Sequence, residues 1–259
     1  MLRRVERTGS SESWILVPQI EHARLAGGLA DSWIDDALRA IEPSDELIKA
    51  VGHHDDGWAD WDASPDVDPA SGRPLSFVEL PLASSIDIWR RSIYLACSRG
   101  YLAAHVVSAH FTALLQKSSP RWSLDPRQFQ ISREFLNEQS EHRETWFVQW
   151  LRPNPVVRTR PMVDLALAYL QMFDALSLWL CAAPRSLSQE FATPAGYKLS
   201  IEPLGENRFT ARPWPFRLPR WTWNLNARRI PVGRYASREV LAAGPSEQVE
   251  LTIEVIAES

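Results

Sequence analysis

Residues 162–183, MVDLALAYLQMFDALSLWLCAA, place one acid where helical spacing demands an apolar side chain. Past the first turn Asp174 is the only charged residue of this stretch, and Leu167, Leu170, Leu178 and Cys181 share its face. A carboxylate buried on such a face is costly unless it is paired or bound to a cation. The segment therefore reads as a core helix carrying a polar centre, and partners for Asp174 must come from elsewhere in the chain.

Three other polar residues have the same misfit. His22 shares a helical face with Leu25, Ala26, Leu29 and Trp33 and points inward. His54 falls on the face of Leu47 and Ala50, and Asp55 on that of Ile48 and Val51, whereas His53 aligns with Glu46 and Lys49. Taken alone, an inward histidine is more often a hydrogen-bonded core residue than a ligand. Two inward histidines and two inward aspartates on three helices point instead to one shared cation.

Working outward, ESWILVP at 12–18 reads as a strand that pairs with the segment around Arg3 to Glu6. One helix is expected from Gln19 to about Ile41. A second runs from Ser44, as N-cap, to roughly Asp55. The stretch from Gly57 to Pro81, with Pro65, Pro69 and Pro74, reads as a long irregular loop beside the site. Its Asp60, Asp62, Asp66 and Asp68 lack the glycine and terminal glutamate of a calcium loop and read as caps and turn formers. Helical patterns resume over 85–98, 101–117, 126–151 and 161–183. After Pro184, the stretches YKLSIEPL, NRFTARPW, RWTWNLNAR and QVELTIEVI alternate as an antiparallel sheet would, and the N-terminal strand is expected to join them. The aromatic run PWPFRLPRWTWN, 213–224, reads either as a stacking surface for a sugar or peptide or as a sheet edge sealed on the helices.

A net charge of −4 gives no broad cationic field, which argues against nucleic acid and an anionic membrane as partners and leaves a small-molecule substrate. The N-terminus has no signal-like apolar stretch and no later segment reads as a charge-free span, so a cytoplasmic location is expected; a homo-oligomer stays open. Cys97 and Cys181, both in helical apolar patterns, are expected to be free buried thiols.

The order His, His-Asp, Asp resembles the HD superfamily of metal-dependent phosphohydrolases. His54-Asp55-Asp56-Gly57 resembles its HD-x-G signature, His22 stands where its upstream histidine stands, and Phe173-Asp174-Ala175-Leu176 is similar to its last helical element. The fuller pattern at Gln19 to Gly27, His53 to Trp58 (HHDDGW) and Gly72 to Phe77 resembles an uncharacterised bacterial subfamily. The resemblance implies a mainly α fold, an HD-like helical bundle over 19–184. An antiparallel β subdomain, formed by 1–18 and 185–259, would pack on it. It also implies that His22, His54, Asp55 and Asp174 ligate a metal. Mixed imidazole and carboxylate donors suit Mn, Fe, Zn, Ni or Co, as one or two ions.

The expected function is hydrolysis of a small phosphorylated compound or nucleotide by a metal-bound hydroxide, with Asp55 and His110 as catalytic residues. His110, with Ala103, Val106, Ala113 and Leu114 beside it, is the candidate ligand of a second metal; a hydrogen-bonded core histidine is the alternative. Gln19, His53, Asp56, Trp58 and His105 are candidates for supporting or substrate contacts, and His142 reads as a surface residue. Trp58 stands where many HD phosphohydrolases carry a lysine, so positive charge for phosphate would fall to Arg24, Arg90 or Arg91. Two rivals remain open: an HD-type di-iron oxygenase, and a degenerate HD module that binds a ligand as a regulator.

Overall fold

The computed structural model describes residues 1–8, 11–122, 125–182, 186–205 and 207–257. The chain opens with a hairpin, β1 (Leu2–Thr8) and β2 (Ser11–Val17), and enters α1 (Gln19–Ser32) directly after Pro18. Short α2 (Asp36–Arg39) and α3 (Ser44–His53) follow. A 3-10 turn at Asp56–Trp58, α4 (Ala59–Ala63) and a second 3-10 turn at Phe77–Glu79 lead to α5 (Leu82–Cys97), α6 (Tyr101–Trp122), α7 (Pro126–Leu151) and α8 (Arg160–Ala182). The chain then builds β3 (Gln189–Ala192), β4 (Lys198–Gly205), β5 (Arg208–Arg212), β6 (Arg220–Pro231), α9 (Arg238–Ala243) and β7 (Glu247–Ile256).

The expectation of a mainly helical bundle with an antiparallel sheet appended is corrected. About 53% of the structure is helix and 23% strand, and the strands form one curled seven-stranded mixed sheet, a half-barrel. Its order is β1-β2-β6-β7-β5-β4-β3. The β5–β7 pair is parallel, in the register Arg208↔Glu254 to Thr210↔Ile256. Alternation along a strand reports which face is buried but carries no trace of partner direction. Here the seven residues 213–219 carry the chain away from β5, β6 lies antiparallel to β7, and β7 fills the gap between them.

The helix expected over Gln19 to Ile41 is broken. Trp33 is extended, with ψ 133°, and its backbone bridges to Phe216. Its ring is fully buried, edge-on to Phe173 at 5.2 Å and to Phe216 at 5.5 Å. Ring burial and the strand-like bridge outweigh continuation of the helix, which restarts at Asp35, whose side chain caps α2 by accepting from Ala37 N–H. At the next helix Ser44 is the first helical residue, not the cap, which is Pro43. The loop expected over 57–81 is partly ordered into α4 and the two 3-10 turns. The domain boundary at Pro184 lies outside the described residues.

A continuous apolar core runs from the helices, through Leu25, Phe111 and Phe173, into the sheet at Ile15, Leu225 and Ile253. The aromatic run after Pro213 seals this junction. Phe216 stacks on Trp221 at 5.3 Å, Trp221 donates through Nε1 to Ser32 Oγ at 3.0 Å, and the Trp223 ring lies over Gly28 of α1. By length and composition α8 could cross a membrane, contrary to the expectation that no segment would. Its Leu170, Phe173, Leu176 and Leu180 are instead buried in this core. Cys181 is buried, but Cys97, at the end of α5, is exposed.

Two close helix contacts fix the frame of the site. Where α1 crosses α3, a Cβ on Gly27 would stand 2.5 Å from Gly52 Cα, so only glycines allow the backbones to meet. At Gly57 a Cβ would stand 2.5 Å from Ile88 O of α5, and Gly57 N–H donates to Ser92 Oγ at 3.0 Å.

Candidate metal centre

His22 comes from the second turn of α1. That helix is held at its N-terminus by Asp62 of α4, whose Oδ2 accepts from Gln19 N–H at 2.7 Å and Ile20 N–H at 3.3 Å. His54 and Asp55 leave the end of α3, and the Gly27–Gly52 contact brings that end against α1. Asp174 lies midway along α8. His22 and His54 are fully buried, and Asp55 and Asp174 are 4% and 9% exposed.

These side chains converge. One donor atom each from His22, His54 and Asp174 lies within 4.8 Å of the other two, and together this buried group could hold a metal ion. In a tetrahedral site with ligand bonds of about 2.2 Å the donors lie about 3.6 Å apart, so side-chain movements of up to about 1 Å close the group around one ion. Asp55 belongs to the same cluster, with Oδ2 2.8 Å from His22 Nε2 and 3.8 Å from His54 Nε2. His54 Nε2 is 3.3 Å from Asp174 Oδ1, and its Nδ1 donates to Val51 O at 2.8 Å, which turns Nε2 toward the acids. His22 Nδ1 lies 3.1 Å from Ser177 Oγ, and that hydroxyl donates to Asp174 O.

Electrostatics agree with a cation site. Burial opposes charge on His54, but Asp55 and the hydrogen bond to Asp174 outweigh it and raise its pKa to about 9. Burial also opposes charge on Asp174, yet the surrounding histidines hold its carboxyl below the usual range. Asp55 is likewise lowered, by His54 and His22 against burial.

His110, on α6, stands beside this group with Nε2 3.8 Å from Asp174 Oδ2 and its ring 5.4 Å from that of His54. Burial lowers its pKa to about 4, so it is neutral near pH 7. Its Nδ1 is buried without a hydrogen-bond partner, as are Gln19 Oε1 and Trp58 Nε1. Gln19 Nε2 donates to Asp55 Oδ2 at 3.2 Å. Gln19, Asp55, Trp58, His110 and Asp174 all line one cavity of about 200 Å³.

The other candidates lie elsewhere. His53 and Asp56 face away: they pair with each other at 3.1 Å, and Arg99 binds Asp56 at 2.5 Å. His105 donates through Nδ1 to Arg143 O and packs on Phe147, about 140° around α6 from His110, so it supplies no second-metal donor. His142 is exposed and stacks on Trp146. Arg24 pairs with Glu21, Arg90 with Glu138, and Arg91 donates to Gly57 O; none of the three lines the cavity. Sequence reasoning missed Ser177 and Ser92. Ser177 had a signal, falling three residues after Asp174 on the same face, whereas nothing in the sequence links Ser92 to Gly57. Asp66 and Asp68 serve the loop, accepting from Trp61 Nε1 and from Ala70 N–H.

A family profile described as protein of unknown function (DUF3891) matches residues 5–232. The chain belongs to the DUF3891 family. Searches of curated proteins and of solved structures each returned no match. The DUF3891 match spans α1, α3 and α8, and so contains every residue of the cluster.

Proposed function

We propose that this protein is a metal-dependent hydrolase of a small phosphorylated compound, built on an HD-type centre. In this reading His22, His54, Asp55 and Asp174 hold one divalent ion of Mn, Fe, Zn, Ni or Co. The observation that carries the reading is the burial together of two imidazoles and two carboxylates, from three helices, with both carboxylates lining a cavity that Gln19, Trp58 and His110 also line. Such an ion supplies Lewis acidity and lowers the pKa of water.

The chain's own residues do the rest. Gln19 orients Asp55 through its amide, whose Nε2 donates to Asp55 Oδ2. His110, which lines the cavity, is the residue to exchange a proton with the bound molecule. Trp58, standing where many HD phosphohydrolases carry a lysine, lines the cavity with an uncharged indole. The apolar walls exclude bulk water, which strengthens each of these contacts. One ion suffices for this reading, since among the described residues the group that could hold a metal is His22, His54 and Asp174.

The test is a hydrolysis assay with methyl p-nitrophenyl phosphate after loading with each of the five metals. Turnover at least tenfold above the metal-free protein, and lost in Asp174→Asn, is expected with one or more metals. Metal bound at unit stoichiometry without turnover on this and other phosphoesters would overturn the hydrolase and favour a ligand-binding regulator.

A further inference from the structure

We infer that the cavity above the cluster selects a compact substrate with an apolar body, about one aromatic ring in size, and a head group of no more than one negative charge. Nucleotides and sugar phosphates would then be excluded. The inference rests on the proposed metal centre and narrows what it acts on.

Three observations carry it. The first is size. A cavity of about 150 Å³ takes up benzene, and those that hold drug-sized ligands span about 300–1,000 Å³. At about 200 Å³ this one encloses a ring and a small head, whereas a base with ribose and phosphate would have to project through its mouth. The second is the wall. Phe77, Leu82, Trp89, Phe111 and Leu178 form it, and Val78 and Leu114, 58% and 39% exposed, mark its mouth. Exposed apolar residues that ring an opening are what an apolar ligand would cover.

The third is charge. Among the described residues no lysine or arginine lines the cavity. Asp55 and Asp174 together neutralise one divalent ion, so the loaded centre carries no surplus positive charge for a dianionic phosphate. A second negative charge would enter low-dielectric surroundings unpaired. Besides the two aspartates, the polar residues that line it are Gln19, Trp58, Ser85, His110 and Ser118, none of which brings a permanent positive charge. That arrangement fits one polar head with an apolar body behind it, such as the monoanion of an aryl or alkyl phosphodiester.

The test uses the full Mn²⁺-loaded chain and calorimetric titration with benzyl methylphosphonate, methyl methylphosphonate and adenosine 5′-monophosphate. The benzyl compound is expected to bind at least tenfold more tightly than the methyl one, and the nucleotide more weakly than either. Leu114→Trp, which narrows the mouth from an exposed helix position, should remove the benzyl advantage while metal content stays unchanged. Equal affinity for the benzyl and methyl compounds, or tighter nucleotide binding, on a chain that holds its metal would overturn the inference and leave the metal centre standing. If the chain holds no metal, the centre itself fails. Titration of the metal-free chain and its Leu114→Trp variant with benzyl alcohol then decides the cavity's preference, and no difference between the two overturns it.

Discussion

His54 Nε2 and Asp174 Oδ1 lie 3.3 Å apart, although 120 residues separate them in the chain. The contact exists only because α3 and α8 both pack on α1 and α6, so the site reports on the whole helical layer and not on one local motif. Asp174 is the hub. It meets His54 directly, lies 3.9 Å from His22 Nδ1 and 3.8 Å from His110 Nε2.

Replacing Asp174 with asparagine keeps the shape and removes the charge. Elemental analysis of the purified variant should show metal content reduced by at least about tenfold, the scale on which even supporting residues act at such sites. His53→Ala and His142→Ala, whose side chains pair with Asp56 and stack on Trp146, should retain wild-type metal content. Equal loss in His53→Ala would mean that the direction assigned to α3 is wrong.

The cluster was legible because burying a polar side chain breaks a periodic apolar pattern, as Asp174 does in α8 and His22 in α1. The sheet was not legible to the same depth. The alternation of β5 and β7 marks inner positions such as Phe209, Ala211, Leu251, Ile253 and Val255, yet it cannot reveal that these strands run parallel. The break at Trp33 is equally silent, since it depends on Phe216, nearly two hundred residues later. His53, Asp56 and His105 were drawn in by their neighbours in the sequence. His53 stands about 100° from His54 and His105 about 140° from His110, and each finds its partner on another face.

Gly57→Ala tests the frame around the centre. The added methyl meets backbone atoms of α5 at Ile88 and Ser92, which a side-chain movement cannot relieve. A loss of about 1–3 kcal/mol is expected for such overpacking. At about 2–4 °C per kcal/mol for a chain of this size, calorimetry should show a lower Tm. Metal affinity should fall as well, because Gly57 follows Asp55 by two residues; an unchanged Tm would refute the close contact.

The loop at the cavity mouth should respond to acid. Burial raises the Glu79 carboxyl, but the Ser76 N–H at 2.7 Å and the Arg3 guanidinium at 3.2 Å outweigh this, and its pKa is lowered from 4.5. A lowered folded-state pKa stabilises the fold above the unfolded value and loses that contribution as pH falls through the folded one. Hydrogen-exchange protection at residues 76–80, corrected for the intrinsic slowing of exchange in acid, should therefore fall below about pH 4.5 in the wild type. In Glu79→Gln it should already be low at neutral pH. A variant with wild-type protection at pH 7 would show that Glu79 does not hold the turn.

Chelation should measure how much the centre stabilises the fold. An ion that binds only the folded chain contributes RT ln(1 + [L]/Kd), about 2.7 kcal/mol at a hundredfold excess over Kd. At about 2–4 °C per kcal/mol, the Tm of the metal-loaded protein should fall by about 5–11 °C after chelation and dialysis. The same treatment should leave the Tm of Asp174→Asn unchanged, because that variant begins without the ion. Weak surface binding of metal would shift both proteins alike, so the difference between them isolates the contribution of the buried cluster. Re-addition of each candidate metal in turn should restore the wild-type Tm in order of affinity, and the metal that restores it most identifies the ion to carry into the hydrolysis assay. A wild-type Tm indifferent to chelation would mean that His22, His54 and Asp174 meet only one another.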